Sequence, residues 1–180
     1  PPYLGLRSYL PDGHPDKPLE IGFGQTPDEY VVGLVEVFRE VRRLLKDDGT
    51  LWLNLASSYN GSGGAGGDYN EGGLKEGQPK YRGRNFSEYK PKDLIPVPWL
   101  VAIALQRDGW WLRSDIIWHK KAGMPENVDD RPTQAHEYLL LLSKCAHYYY
   151  DAAAIAEPSI YPGDTRHLRG DSRKVNEPMS

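Results

Sequence analysis

The chain has 180 residues, 39% hydrophobic and 26% charged, with a formal net charge of −3 and a pI near 6.0. That size and apolar content suit one domain with a real core, and the acidic balance excludes a chain that meets nucleic acid through overall basic charge, so any such contact falls to a local patch. Cys145 is the only cysteine, which excludes a disulfide framework or a multi-cysteine metal site and reads as a buried small hydrophobe. No apolar run reaches bilayer length and no signal peptide is evident, so the cytoplasm is the default compartment and no membrane partner is expected.

The chain opens on Pro1, Pro2 and Tyr3 without an initiator methionine, and is expected to be a piece of a longer protein. Two prolines donate no backbone N–H and hold the backbone extended, leaving carbonyls free to accept beside an aromatic ring. A plain turn after a strand is the alternative. Residues 4–25, rich in Pro, Gly and Asp, read as a loop. Thr26, Pro27 and Glu29 then form a capping box with proline at the first helical position. Tyr30, Leu34, Val37, Phe38, Val41, Leu44 and Leu45 recur at helical spacing, predicting a helix over 27–46 that ends at a left-handed Gly49.

Residues 50–56 predict a strand with Leu51, Leu53 and Leu55 on one side. Helix, glycine turn and strand are the grammar of an α/β sheet, in which ligands bind beyond the carboxyl ends of the strands. Residues 57–92 interrupt it. The glycines of the first half lack the spacing of a phosphate-cradling loop. The second half is basic: Lys75, Lys80, Arg82, Arg84, Lys90 and Lys92 stand against Glu76 and Glu88. With Tyr81, Phe86 and Tyr89 interleaved, this stretch suits phosphate contact and base stacking, a solvated loop being the alternative.

A second helix is predicted over 95–106, entered through Pro96 and Pro98. The stretch 109–144 follows, and the rest of the chain is organised around it: apolar strands at 110–118 and 138–142 flank a connection holding Lys120, Pro125, Glu126, Arg131, Thr133, His136 and Glu137. A loop so dense in ionisable groups between two buried strands is a place for recognition, although ordinary surface loops are also charged. Tyr148, Tyr149 and Tyr150 predict a short strand and 151–156 a short helical segment. Residues 1–158 thus form one folded part with an insertion at 57–92, and 159–180 a polar linker or tail.

The segments Pro1-Pro2-Tyr3, LLKDDGTLWLNLASSY, VPWLVAIALQRDGWWLRSDIIWHK, MPENVDDRPTQAHEYLLLLSK and YYYDAAAIAEP occur in the order and context found in amino-methylating DNA methyltransferases of the cytosine-N4/adenine-N6 type. The chain resembles the permuted class, in which the catalytic half precedes the cofactor half. The resemblance implies an α/β, Rossmann-like S-adenosylmethionine-dependent methyltransferase fold, represented by a catalytic half with an incomplete cofactor half. It also implies site-specific methylation of double-stranded DNA, as in restriction-modification systems, with the donor methyl passing to the exocyclic amine of a flipped-out cytosine or adenine. Tyr3 would stack on the extruded base, while a proline carbonyl and the side chain preceding Pro1 would accept its amino protons.

By the same resemblance Pro1, Pro2 and Tyr3 are catalytic. Trp118, Lys120, Pro125 and Glu126 lie beside the target base, and Arg131, Thr133, His136 and Glu137 belong to the next loop. Lys80, Arg82 and Arg84 are DNA contacts by charge. Structural alternatives are Trp118 as a core aromatic and Glu137 as partner to Arg131. Relatives carry Ser, Asp or Asn before the first proline and a Phe-x-Gly-x-Gly cofactor loop; neither is found here, and Lys121, Ala122 and Gly123 replace a Pro-Asn-Pro segment. The chain is therefore expected to lack the main cofactor site, to be inactive alone, and to work as a homodimer or with a missing C-terminal half. A catalytically silent DNA-binding module derived from such an enzyme and an α/β enzyme of small molecules are the competing readings.

Overall fold

The computed structural model describes residues 1–6, 8–11, 13–61, 85–121, 123, 126 and 128–156. The chain divides into two compact units, Pro1–Tyr149 and Tyr150–Ser180. In the first, a loop containing a short 3-10 helix, Lys17–Leu19, leads into α1 (Pro27–Leu44) and β1 (Thr50–Leu55). A two-stranded ladder of β2 (Ser58–Tyr59) and β3 (Leu94–Ile95) follows, then α2 (Val97–Arg107), β4 (Trp111–His119) and β5 (His136–Ser143).

Helix α1 starts as its sequence requires: Thr26 Oγ1 accepts from the Glu29 N–H at 3.2 Å and Glu29 accepts from the Thr26 N–H at 2.8 Å. Its buried face is Tyr30, Leu34 and Phe38, one residue per turn, whereas Val37 and Leu44 at the same nominal period are exposed. The helix stops at Leu44, with Leu45 already extended. Gly49 is not left-handed. Glycine is needed there because a Cβ would come within 2.6 Å of the Leu45 side chain.

Strand β5 is central, pairing antiparallel with β1 and with β4, so the sheet order is β1-β5-β4. Residues directly opposite each other share a face. Leu53 opposite Leu140 and Leu51 opposite Leu142 therefore point together toward the helices, and form the core with Tyr30, Leu34, Val101 and Leu105. Trp52, Asn54, Glu137, Leu139 and Trp118 occupy the other face. The α/β class matches the sequence; helix α2 begins two residues later than expected because Leu94 and Ile95 pair with Tyr59 and Ser58.

Two expected elements do not form. Tyr148 to Tyr150 make no strand; the Tyr149 N–H donates to Asp48 O at 2.8 Å. Cys145 is half-buried, its thiol donating to the Asp47 carbonyl at 3.2 Å and the His147 carbonyl at 2.6 Å. In the second unit residues 152–155 are turns, where a helical segment was expected, and the Asp151 carboxylate caps the Ala154 N–H at 2.9 Å.

Candidate active site

Pro1 is exposed while Pro2 and Tyr3 are half-buried. Two side chains fix this segment. The Tyr30 hydroxyl, at the end of a ring with no exposure, donates to the Pro2 carbonyl at 2.7 Å. The Tyr3 hydroxyl donates to Asn54 Oδ1 on β1 at 2.5 Å. Behind it the loop folds back: Gly5 N–H donates to the Gly22 carbonyl at 2.5 Å, and a Cβ on Gly22 would stand 3.1 Å from Tyr3 O. Ser8, the Tyr9 N–H and Lys17 all turn to Glu20, closing the loop over itself.

Asn54 is the polar member of an apolar strand and faces away from the helices. Its Nδ2 donates to the Tyr138 carbonyl at 3.2 Å, so it is tied to β5 as well. Glu137 shares this face, where Lys120 forms an ion pair with it. The Tyr3 phenol is pushed up to about 12, first by burial and then by the charge of Glu137 and the hydrogen bond to it. Burial would raise the Glu137 carboxyl, but the Lys120 hydrogen bond and charge, with the contacts from Tyr3 and Asn54, hold it below its ordinary value. The Tyr30 phenol is also raised, by burial and then by Tyr3.

Trp118 lies opposite Glu137 and is 56% exposed, so it is an open aromatic surface and not a core residue. The site therefore gathers Pro1, Pro2, Tyr3, Asn54, Glu137, Trp118 and Lys120 at the carboxyl end of β1. His136 alternates to the opposite face, where its ring packs edge-on against Tyr138 at 5.3 Å, and Tyr138 in turn meets Trp99 of α2 at 5.5 Å. Arg131 does not pair with Glu137. Its guanidinium bonds Glu126 at 2.6 Å and stacks over the Tyr59 ring at 3.7 Å. Thr133 is exposed. Lys80, Arg82, Arg84 and Pro125 lie outside the described residues.

The two ends of the insertion are described, and a buried asparagine that sequence reasoning overlooked joins them. Asn60 Nδ2 donates to the carbonyls of Phe86 at 3.0 Å and Tyr89 at 2.7 Å, and its Oδ1 accepts from the Phe86 N–H at 2.8 Å. Lys92, with φ of 71°, reaches Asp130 at 2.6 Å in the loop between β4 and β5. Asn54 and Tyr30 were also overlooked. The available signals were a lone amide on the outward period of a leucine strand, and a tyrosine in the buried stripe of a helix whose hydroxyl must find an acceptor.

A family model described as DNA methylase, of the N6/N4 type, matches residues 1–177. The chain belongs to this DNA methylase family. It is similar to the type II methyltransferase M.SmaI of Serratia marcescens, 49% identical over 162 residues that make up 90% of this chain and 53% of that one. It is also similar to M.Cfr9I of Citrobacter freundii, 44% identical over 87% of this chain and 50% of that one. The chain thus spans about half the length of the curated relatives it matches. The crystal structure of a Thermus thermophilus DNA modification methylase, TTHA0409, with S-adenosyl-L-methionine aligns at a TM-score of 0.43 and 19% identity, covering 92% of this chain and 49% of that one. No helix among the described residues is long and apolar enough to cross a membrane.

Proposed function

We propose that this chain is the catalytic half of a site-specific DNA methyltransferase, which moves a methyl group from S-adenosyl-L-methionine to the exocyclic amine of a cytosine or adenine flipped out of double-stranded DNA. The observation that carries the reading is the Pro-Pro-Tyr segment itself. It is held from behind by Tyr30 and Asn54, with Pro1 open to solvent and the exposed Trp118 ring on the same end of the sheet.

The chemistry asks for such a surface. The lone pair of a base amine is delocalised into its ring, so the nitrogen is a poor nucleophile until acceptors on its protons draw it out of conjugation. Pro2's carbonyl already accepts from Tyr30, and among the described residues no donor reaches that of Pro1. The Pro1 carbonyl is thus the acceptor for one amino proton, and the Tyr3 ring offsets the unstacking of the base. The contribution of these groups is positioning and electrostatics. The loop of Glu126, Arg131 and Thr133 borders this surface and, with Pro125, Lys80, Arg82 and Arg84, supplies the DNA contacts; Lys120 acts there through Glu137, and His136 supports the strand from its far face.

S-adenosyl-L-methionine supplies an electrophilic methyl on a sulfonium. Among the described residues the donor set suits a planar base better than an amino-acid head and ribose: the N-terminus of α1, a natural carboxylate site, is closed by its own capping box. The test is transfer of labelled methyl from S-adenosyl-L-methionine to duplex DNA by the full-length protein containing this chain, with nucleoside analysis to read the base. Transfer to an exocyclic amine, reduced at least about 100-fold by Tyr3→Ala, is expected. Salt-sensitive DNA binding with no transfer would replace this reading with a silent binding module.

A further inference from the structure

We infer that Asn54 and Glu137 are positioning residues for the Tyr3 ring, with Lys120 holding Glu137 in place, so that the face presented to the target base is set from the hydroxyl end of the ring. The inference rests on the proposed base-flipping function and adds residues to its site.

A ring that must lie flat against an incoming base has to be fixed in tilt as well as in place. The backbone end of Tyr3 is constrained by Pro2, whose φ is locked and whose carbonyl is tied to Tyr30. That leaves rotation about the Cα–Cβ bond, which a contact at the far end of the ring stops, and rotation about Cβ–Cγ, which the same contact restrains through the preference of a phenol O–H for the ring plane. The hydroxyl is held at 2.5 Å by Asn54 Oδ1, and Asn54 cannot swing away because its Nδ2 is bonded to the backbone of β5. Glu137 stands on the same face of β5, paired with Lys120, and acts on the hydroxyl through its charge. Two strands of one sheet therefore grip one phenol.

An uncompensated carboxylate at this place would meet the negative phosphates of DNA. The Lys120 ammonium, which follows the last residue of β4 and is fixed by its own N–H donating to Ala135 O at 2.8 Å, offsets that charge. The raised phenol is a consequence: burial and Glu137 keep Tyr3 protonated and able to donate throughout the working range of pH.

Two measurements on the full-length protein test this. The first needs no catalysis: NMR titration of Tyr3 labelled at Cζ. Glu137→Gln and Asn54→Ala are each expected to move the Tyr3 titration downward or to broaden its ring signals, with the amide exchange of the Tyr30 helix unchanged. If both variants leave Tyr3 as in the parent, the inference is overturned, whatever the protein's activity. The second is a cycle of Asn54→Ala and Tyr3→Phe in methyl transfer. Each single change is expected to lower kcat about 10-fold with KM for DNA nearly constant, and Asn54→Ala is expected to have no further effect once the hydroxyl is gone. Equal losses from Asn54→Ala in both backgrounds would show that it acts through the strand and not through the hydroxyl, overturning the inference. Should the parent show no transfer while the titration behaves as expected, the anchoring stands and the proposed function falls.

Discussion

Replacing Tyr30 by phenylalanine removes one oxygen and leaves the rest of the fold as it is. The ring has no exposed surface and packs with Leu34, Leu53 and Val101 in the core, so the apolar burial is conserved. What is lost is the bond of 2.7 Å to the Pro2 carbonyl. A net intramolecular hydrogen bond contributes about 1 kcal/mol, and because Pro2 is half-exposed, water can take over the freed carbonyl, keeping the cost near that figure. With an m-value of about 2 kcal/mol/M, the urea midpoint should fall by about 0.5 M with the slope unchanged. Tyr30→Ala empties the site and should cost about 3–5 kcal/mol, several times as much. If methyl transfer by the phenylalanine variant falls further than its lost stability explains, the carbonyl at residue 2 is being steered by Tyr30. A midpoint equal to that of the parent, or an alanine variant no worse than the phenylalanine one, would refute the reasoning.

Gly22 and Gly13 both have positive φ, 88° and 86°, but only at Gly22 would a Cβ meet the Tyr3 carbonyl, at 3.1 Å. Gly13→Ala should cost about 1–2 kcal/mol of backbone strain, and Gly22→Ala should cost more in thermal unfolding and also reduce methyl transfer; equal effects of the two would remove the close approach as a cause. Asn60→Ala strands the Phe86 N–H and several carbonyls and should destabilise by about 2–3 kcal/mol, with faster hydrogen exchange at the Phe86 amide as the local readout. Because the folded carboxyl of Glu137 is depressed, its contribution to stability is complete above the ordinary value of 4.5 and is lost as pH falls through the lower folded value. Glu137→Gln should therefore flatten the acid limb of a stability profile below about pH 4.5, and an unchanged limb would count against the Lys120 pairing.

The parts of the fold that local chemistry controls were legible. The capping box at Thr26, the Tyr30, Leu34 and Phe38 stripe of α1 and the leucine alternation of β1 are set by neighbours within a turn or two and fold as the sequence predicts, whereas Val37 and Leu44 of the same predicted stripe are exposed. The partners of Glu137 and Arg131 were not legible, because strand register decides them. Pairing His119 with His136 brings Lys120 to Glu137 and sends Arg131 toward Glu126 and Tyr59, contacts that no spacing along the chain announces. The tyrosines at 148–150 have strand-like composition but are not in a strand, and composition alone does not decide pairing. At the candidate site, Pro1, Pro2, Tyr3 and Trp118 were named from motif and resemblance, and the structure shows how open each one is. Asn54 and Tyr30 escaped because their role is to hold those residues from behind.

The narrow neck formed by β2 and β3, sealed by the Asn60 amide, separates what enters at residue 61 from what leaves at residue 85 by only one short ladder. Chain closed by such a gate can lengthen, shrink or change its chemistry at little thermodynamic penalty, since doubling a loop costs only about 0.6 kcal/mol. Arg131 on Tyr59 and Lys92 on Asp130 tie that neck to the loop between β4 and β5. A lineage could exchange one stretch of sequence for another between those two residues while the Pro-Pro-Tyr end of the sheet keeps its geometry, so the two can evolve on separate clocks.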